Sequence, residues 1–133
     1  MDGIAIKNVL IVDDDQTVAN TLGMILKSET HDVRVVYSAE AASELLASWT
    51  PDIAIVDVLL PGMNGVDFAI ALKTVAPGCH VLLFTALPRR NGIVEAARMS
   101  GHPFEVIEKP SPPLFMVNRV ADLLASGPLS FAL

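Results

Sequence analysis

Four apolar residues, Ile53-Ala54-Ile55-Val56, run directly into Asp57. A short unbroken apolar run, rather than an alternating one, is what a strand covered on both faces requires. The same design recurs along the chain. Val9–Val12 leads into Asp13-Asp14-Asp15, Val33–Tyr37 into Ser38, Val81–Phe84 into Thr85, and Phe104–Ile107 into Glu108 and Lys109.

Between these runs the hydrophobic period changes to that of a helix. Val18, Leu22, Ile25 and Leu26 form a first apolar stripe. Ser38 can cap a helix whose inner face is Ala41, Ala42, Leu45, Leu46 and Trp49. Phe68, Leu72 and Val75 line a third helix, a fourth spans about 91–99, and Pro112-Pro113 opens a fifth with Leu114, Val117, Ala121 and Leu124 inward. Strands alternating with helices predict crossover units and a parallel sheet. The fold expected is a doubly wound α/β domain of five strands with helices on both faces. Such sheets bind ligands outside the carboxyl ends of their strands.

The bulk properties narrow the classes of function. A chain of 133 residues is one domain by length, with its core over about 7–125 and a short tail over 126–133. Hydrophobic residues make up 52% and the mean hydropathy is +0.51, yet no apolar run approaches the roughly 20 residues of a spanning helix. Met1-Asp2-Gly3 is not the start of a secretory signal, and a single cysteine, Cys79, permits no internal disulfide. A net charge of −6 and a pI near 4.8 speak against a nucleic-acid footprint. The expectation is a cytoplasmic protein with no membrane insertion and no direct nucleic-acid contact. Ser126-Gly127-Pro128 reads as a linker, followed by an apolar tail, Leu129–Leu133, suited to a partner.

Four of the five predicted strand ends deliver chemistry to one crevice: acids at Asp13-Asp14-Asp15, an acid at Asp57, a hydroxyl at Thr85 and an amine at Lys109. Taken singly, each has a plain reading as a helix cap, a turn residue or a solvated charge. Together they are harder to dismiss, because clustered carboxylates repel unless a cation sits among them. Oxygen ligands without a nearby histidine or cysteine suit a hard ion, Mg²⁺ above all. A carboxylate, a hard cation, a hydroxyl and a lysine form a phosphoryl-transfer set. Asp57 is then the nucleophile, with Mg²⁺, Lys109 and Thr85 each serving one phosphoryl oxygen.

Val9-Leu10-Ile11-Val12-Asp13-Asp14-Asp15, Ile55-Val56-Asp57-Val58-Leu59-Leu60-Pro61-Gly62-Met63-Asn64-Gly65, Leu83-Phe84-Thr85-Ala86 and Glu108-Lys109-Pro110 resemble the receiver domain of two-component response regulators, over about Lys7–Ala125. The resemblance implies a flavodoxin-like sheet of strand order 2-1-3-4-5. It implies that Asp14 ligates Mg²⁺ directly, that Asp13 acts through a coordinated water, and that the Leu59 carbonyl completes the site. It further implies that Asp57 takes phosphate from the phosphohistidine of a sensor kinase or a histidine phosphotransfer protein, that Lys109-Pro110 is a cis peptide, and that a downstream protein reads the result. Thr85 is expected to be drawn inward on phosphorylation. Leu59 and Leu87, each two residues beyond a site residue, are expected to exclude hydrolytic water. Two departures stand out: Val106 replaces the aromatic common three positions before the lysine, with Phe104 two residues earlier, and Ser111 follows Pro110 where phenylalanine is common.

Two alternatives compete. Asp13-x-Asp15-x-Thr17-Val18 also resembles the first motif of haloacid-dehalogenase-type phosphatases, with Asp13 as nucleophile, although that family does not account for Asp57-x-x-x-Pro61-Gly62. The other is a receiver fold used only as an unphosphorylated docking module.

Overall fold

A computed structural model describes residues 6–29, 31–86 and 92–126. The elements run β1 (Asn8–Val12), α1 (Gln16–Lys27), β2 (Asp32–Val36), α2 (Ala39–Leu45), β3 (Ile53–Val56), α3 (Gly65–Val75), β4 (His80–Thr85), α4 (Gly92–Met99), β5 (Glu105–Glu108) and α5 (Pro113–Ala125). The strands form one parallel sheet in the order β2-β1-β3-β4-β5. β1 and β3 sit centrally, and their runs are buried on both faces, which is why they carry no alternation.

Alternate strand residues feed opposite layers. Leu10, Val12, Ala54, Val56 and Leu83 pack beneath α2, α3 and α4, meeting Ala42, Phe68, Leu72 and Val94. Val9, Ile11, Ile53, Ile55, Leu82 and Phe84 pack beneath α1 and α5, meeting Leu22, Leu26, Met116 and Val120. Continued past the strand ends, the alternation assigns Asp13, Asp57 and Lys109 to the α1/α5 face.

Local chemistry sets the helix starts. Asp15 caps α1 by accepting from the Val18 N–H, Ser38 caps α2 through Ala41, and Asn64 caps α3 through Asp67. Pro113 enters α5 at the first turn, where no N–H is missed.

Three details differ from the sequence reading. α2 ends at Leu45, so Trp49 is buried from the irregular segment beyond it instead of extending the helical stripe. Val75 is exposed: α3 buries Val66, Phe68, Ala69 and Leu72, and Ala76 rather than Val75 is buried at its end. α5 is rotated from the expected phase: Met116, Val120 and Leu124 face inward, while Leu114 and Ala121 face solvent. Met1–Gly3, Leu87, Asn91 and the tail from Gly127 lie outside the described residues.

Candidate functional site

The carboxyl ends of β1 and β3 lie side by side, since Val12 is in register with Val56, and the Asp57 N–H donates to the Val12 carbonyl at 2.9 Å. This brings one carboxylate oxygen each of Asp13, Asp14 and Asp57 within 4.8 Å of one another. Asp13 and Asp57 are buried and Asp14 is exposed, so the cluster opens to solvent along one side. Asp15 turns away to cap α1. Of the three consecutive aspartates, two therefore face the site and one serves the helix.

Lys109 reaches this cluster from β5. Its backbone N–H donates to the Thr85 carbonyl at 2.9 Å, which ties the exit of β5 to the end of β4, and Lys109-Pro110 is cis. Its ammonium donates to Asp13 Oδ2 at 2.7 Å and to Asp57 Oδ2 at 3.2 Å. Burial by itself disfavours the Lys109 charge, but the hydrogen bond to Asp13 and the charge of Asp57 outweigh it, and the lysine pKa is raised. Burial pushes the Asp13 carboxyl up, the Lys109 bond and the Asp15 N–H oppose this, and the Asp57 charge adds to the rise. The Asp15 N–H donates to Asp13 Oδ1 at 3.0 Å, so both oxygens of Asp13 are engaged.

The loop after β3 shapes the floor. The Leu59 N–H donates to Asp57 Oδ1 at 3.3 Å, and the Gly65 N–H donates to the Val58 carbonyl at 2.9 Å. The chain therefore folds back tightly, and a Cβ on Gly65 would lie 1.8 Å from the Asp57 carbonyl oxygen. The loop is also held from α2, where Glu40 accepts from the Met63 N–H at 3.3 Å. Leu59 is 54% exposed and forms an apolar rim beside Asp57. Thr85 is fully buried at the end of β4.

The structure thus draws Asp13, Asp14, Asp57 and Lys109 into direct proximity, with Leu59 bound to Asp57 through its backbone. Leu87 lies outside the described residues. Sequence reasoning missed Glu40 and the close approach of Gly65, which depend on the path of the loop. It also missed Phe84, whose ring lies beneath Lys109, with the ammonium 5.4 Å from the ring centroid.

A doubly wound parallel sheet with clustered carboxylates and a lysine at its carboxyl edge belongs to the class of α/β domains whose sites lie at that edge. Residues 9–121 match the family described as the response regulator receiver domain, and the chain belongs to that family. It functions as a receiver domain in two-component signalling. It is 30% identical over 114 residues to the DNA-binding response regulator MtrA of Mycobacterium tuberculosis, a match covering 86% of this chain and 49% of MtrA. The chain therefore spans about half the length of such relatives. Among solved structures, a putative response regulator from Chloroflexus aurantiacus is 31% identical with a TM-score of 0.77, covering 91% of this chain and 99% of that one. A CheY-like receiver domain from Methanospirillum hungatei superposes with a TM-score of 0.83 over 92% of this chain and 96% of its own, at 21% identity, which bears on the fold alone. The phosphatase alternative finds no support in these likenesses. No helix among the described residues is long and apolar enough to cross a membrane.

Proposed function

We propose that Asp57 accepts a phosphoryl group from a phosphohistidine on a sensor kinase or a histidine phosphotransfer protein, with Mg²⁺ held at the acidic cluster. The observation that carries this reading is the convergence of Asp13, Asp14 and Asp57 with Lys109 bonded to two of them. The donor set fits the ion. Carboxylate oxygens gathered on an open side, with no sulfur or imidazole among them, suit Mg²⁺. Asp13, Asp14, Asp57 and the Leu59 carbonyl would hold it. When bound, the ion neutralises charge on the phosphoryl oxygens during in-line transfer.

The residues of the chain supply the rest. The Leu59 N–H at Oδ1 and Lys109 at Oδ2 fix the Asp57 carboxylate, so one oxygen can be presented to the incoming phosphorus. The N–P bond of the donor breaks as the Asp57 O–P bond forms, and the imidazole keeps the electron pair and takes up a proton. Lys109 and the Thr85 hydroxyl then bind phosphoryl oxygens. The chain acts as an acceptor that assists its own modification rather than as a conventional enzyme. It would work in the cytoplasm, switching contacts with a downstream protein, with no direct nucleic-acid contact by this domain.

Intact mass after incubation with acetyl phosphate and Mg²⁺ tests the proposal on wild type, Asp57→Asn and Asp13→Asn. A phosphate-sized gain that disappears in Asp57→Asn and survives in part in Asp13→Asn supports it. A gain kept by Asp57→Asn and lost in Asp13→Asn would turn the assignment toward Asp13. A folded wild type that gains nothing, from this donor or from a kinase, would leave the docking role.

A further inference from the structure

We propose that Phe84 is a positioning residue that holds the Lys109 ammonium over the accepting carboxylate. The inference rests on Asp57 being the phosphoryl acceptor. Phe84 is not a polar residue and touches no phosphoryl atom; its part is played through Lys109.

The placement follows from sheet register. Val56 pairs with Leu83 and Thr85 with Glu108, so Phe84 lies laterally between Asp57 and Ile107. Its side chain belongs to the α1/α5 layer together with Ile107, and Lys109, two residues farther on, falls on the same face. The Lys109 ammonium stands 5.4 Å from the ring centroid, inside the roughly 6 Å over which a cation is drawn to an aromatic face. Phe84 is only 7% exposed, so water does little to screen the attraction.

The ring matters because the carboxylate contacts of Lys109 have to change. In this structure the ammonium divides itself between Asp13 and Asp57. Once Asp13 turns to a cation and Asp57 carries phosphate, the lysine must release Asp13 and keep its place beside Asp57. A lysine stem has four rotatable carbons and is otherwise free to swing toward solvent. The ring offers a contact that persists through this exchange, since neither the ion nor the phosphate competes for it. An aliphatic side chain of similar size would support the stem but not attract the charge.

The test separates attraction from packing. 4-Fluoro-, 3,5-difluoro- and 3,4,5-trifluorophenylalanine are installed in turn at position 84 of the whole chain, which weakens the ring's negative face with little change in size. The rate of phosphate gain from acetyl phosphate at saturating Mg²⁺ is expected to fall step by step, by about three- to tenfold across the series. Phe84→Tyr should retain the wild-type rate, and Phe84→Leu should fall to the bottom of the series. In the metal-free protein, the Lys109 ε-methylene protons should show an upfield ring-current shift that Phe84→Leu abolishes. A flat rate across the fluorinated series, or unshifted Lys109 protons, overturns the inference while leaving Asp57 as the acceptor. A wild type that gains no phosphate overturns both.

Discussion

Lys109 Nζ lies 2.7 Å from Asp13 Oδ2, joining two residues 96 positions apart in the chain. Without a metal, this lysine is the counterion of a crowded acidic site, and its role there predicts how the site responds to Mg²⁺. An ion that binds only the folded state stabilises it by mass action, by about 1.4 kcal/mol at roughly ten times its dissociation constant. The melting temperature should therefore rise with millimolar Mg²⁺. Lys109→Ala leaves Asp13 buried and unpaired, which should cost about 3 kcal/mol in the metal-free protein. Mg²⁺ should recover much of that loss, so the increment in melting temperature should be larger than in wild type. An increment equal in the two proteins would contradict this account.

Gly65 meets the backbone of Asp57. A Cβ there would stand 1.8 Å from the Asp57 carbonyl oxygen, with backbone that cannot swing aside as a flexible side chain would. Gly65→Ala should destabilise the fold by about 3 kcal/mol or more and displace the Asp57 loop. At Gly92, the start of α4, an added Cβ would meet nothing within 4 Å, and Gly92→Ala should be neutral or stabilising by up to about 1 kcal/mol. Paired denaturant melts check the contrast, and equal effects at the two positions would rule it out.

The strands and their chemical ends were legible because a doubly covered strand writes itself as an apolar run, and the residue after the run must emerge at the carboxyl edge. Ile53–Val56 followed by Asp57 is the clearest case. Helix phase was less legible. In α5 both the set Leu114, Val117, Ala121, Leu124 and the set Met116, Val120, Leu124 are apolar, and only packing on β4 and β5 selects the second. The end of α2 at Leu45 carries no glycine or proline, so nothing local announced that Trp49 would be buried from beyond the helix. The candidate site was read as a set of side chains, whereas its finer geometry is a matter of register. That Phe84 lies beneath Lys109, and that Gly65 touches Asp57, becomes visible only once β3, β4 and β5 are aligned.

Leu59 bears on how long a phosphoryl group would last. Its N–H is bonded to Asp57 and its side chain is an apolar rim that offers no hydrogen bond to an attacking water. Leu59→Asn places an amide there that can orient such a water, and the backbone contact is retained. The half-life of phosphorylated protein, followed by intact mass after the donor is removed, should shorten severalfold. A half-life unchanged in this variant would mean that the rim does not control water access.

Cys79 supplies a dependence on pH that is separate from the acidic cluster. The thiol is buried, and burial raises its pKa from 9.0 to about 12, with the charge of Lys73 opposing and that of Asp52 adding. Lys73 also donates to the Cys79 carbonyl at 2.7 Å and to the Pro77 carbonyl at 3.1 Å, which fastens the turn that leads into β4. Because the folded pKa is raised, the contribution of this thiol is fully present below pH 9.0 and is lost as pH climbs toward about 12. Across that window the unfolded chain releases the proton and the native chain retains it, so stability falls, by at most about 1.4 kcal/mol per pH unit. The raised pKa of Lys109 acts in the same direction only above its ordinary value of 10.5, whereas burial lowers the pKa of Lys73 and so acts in the opposite direction below 10.5; the thiol is therefore read from the difference in slope between wild type and Cys79→Ala in the interval from 9.0 to 10.5. Urea melts at several pH values within it should show a more negative slope in wild type than in Cys79→Ala. The native thiol should also react with a disulfide reagent far more slowly than the unfolded one at neutral pH. Equal alkaline slopes in the two proteins, together with rapid native labelling, would show that the thiol is open to solvent.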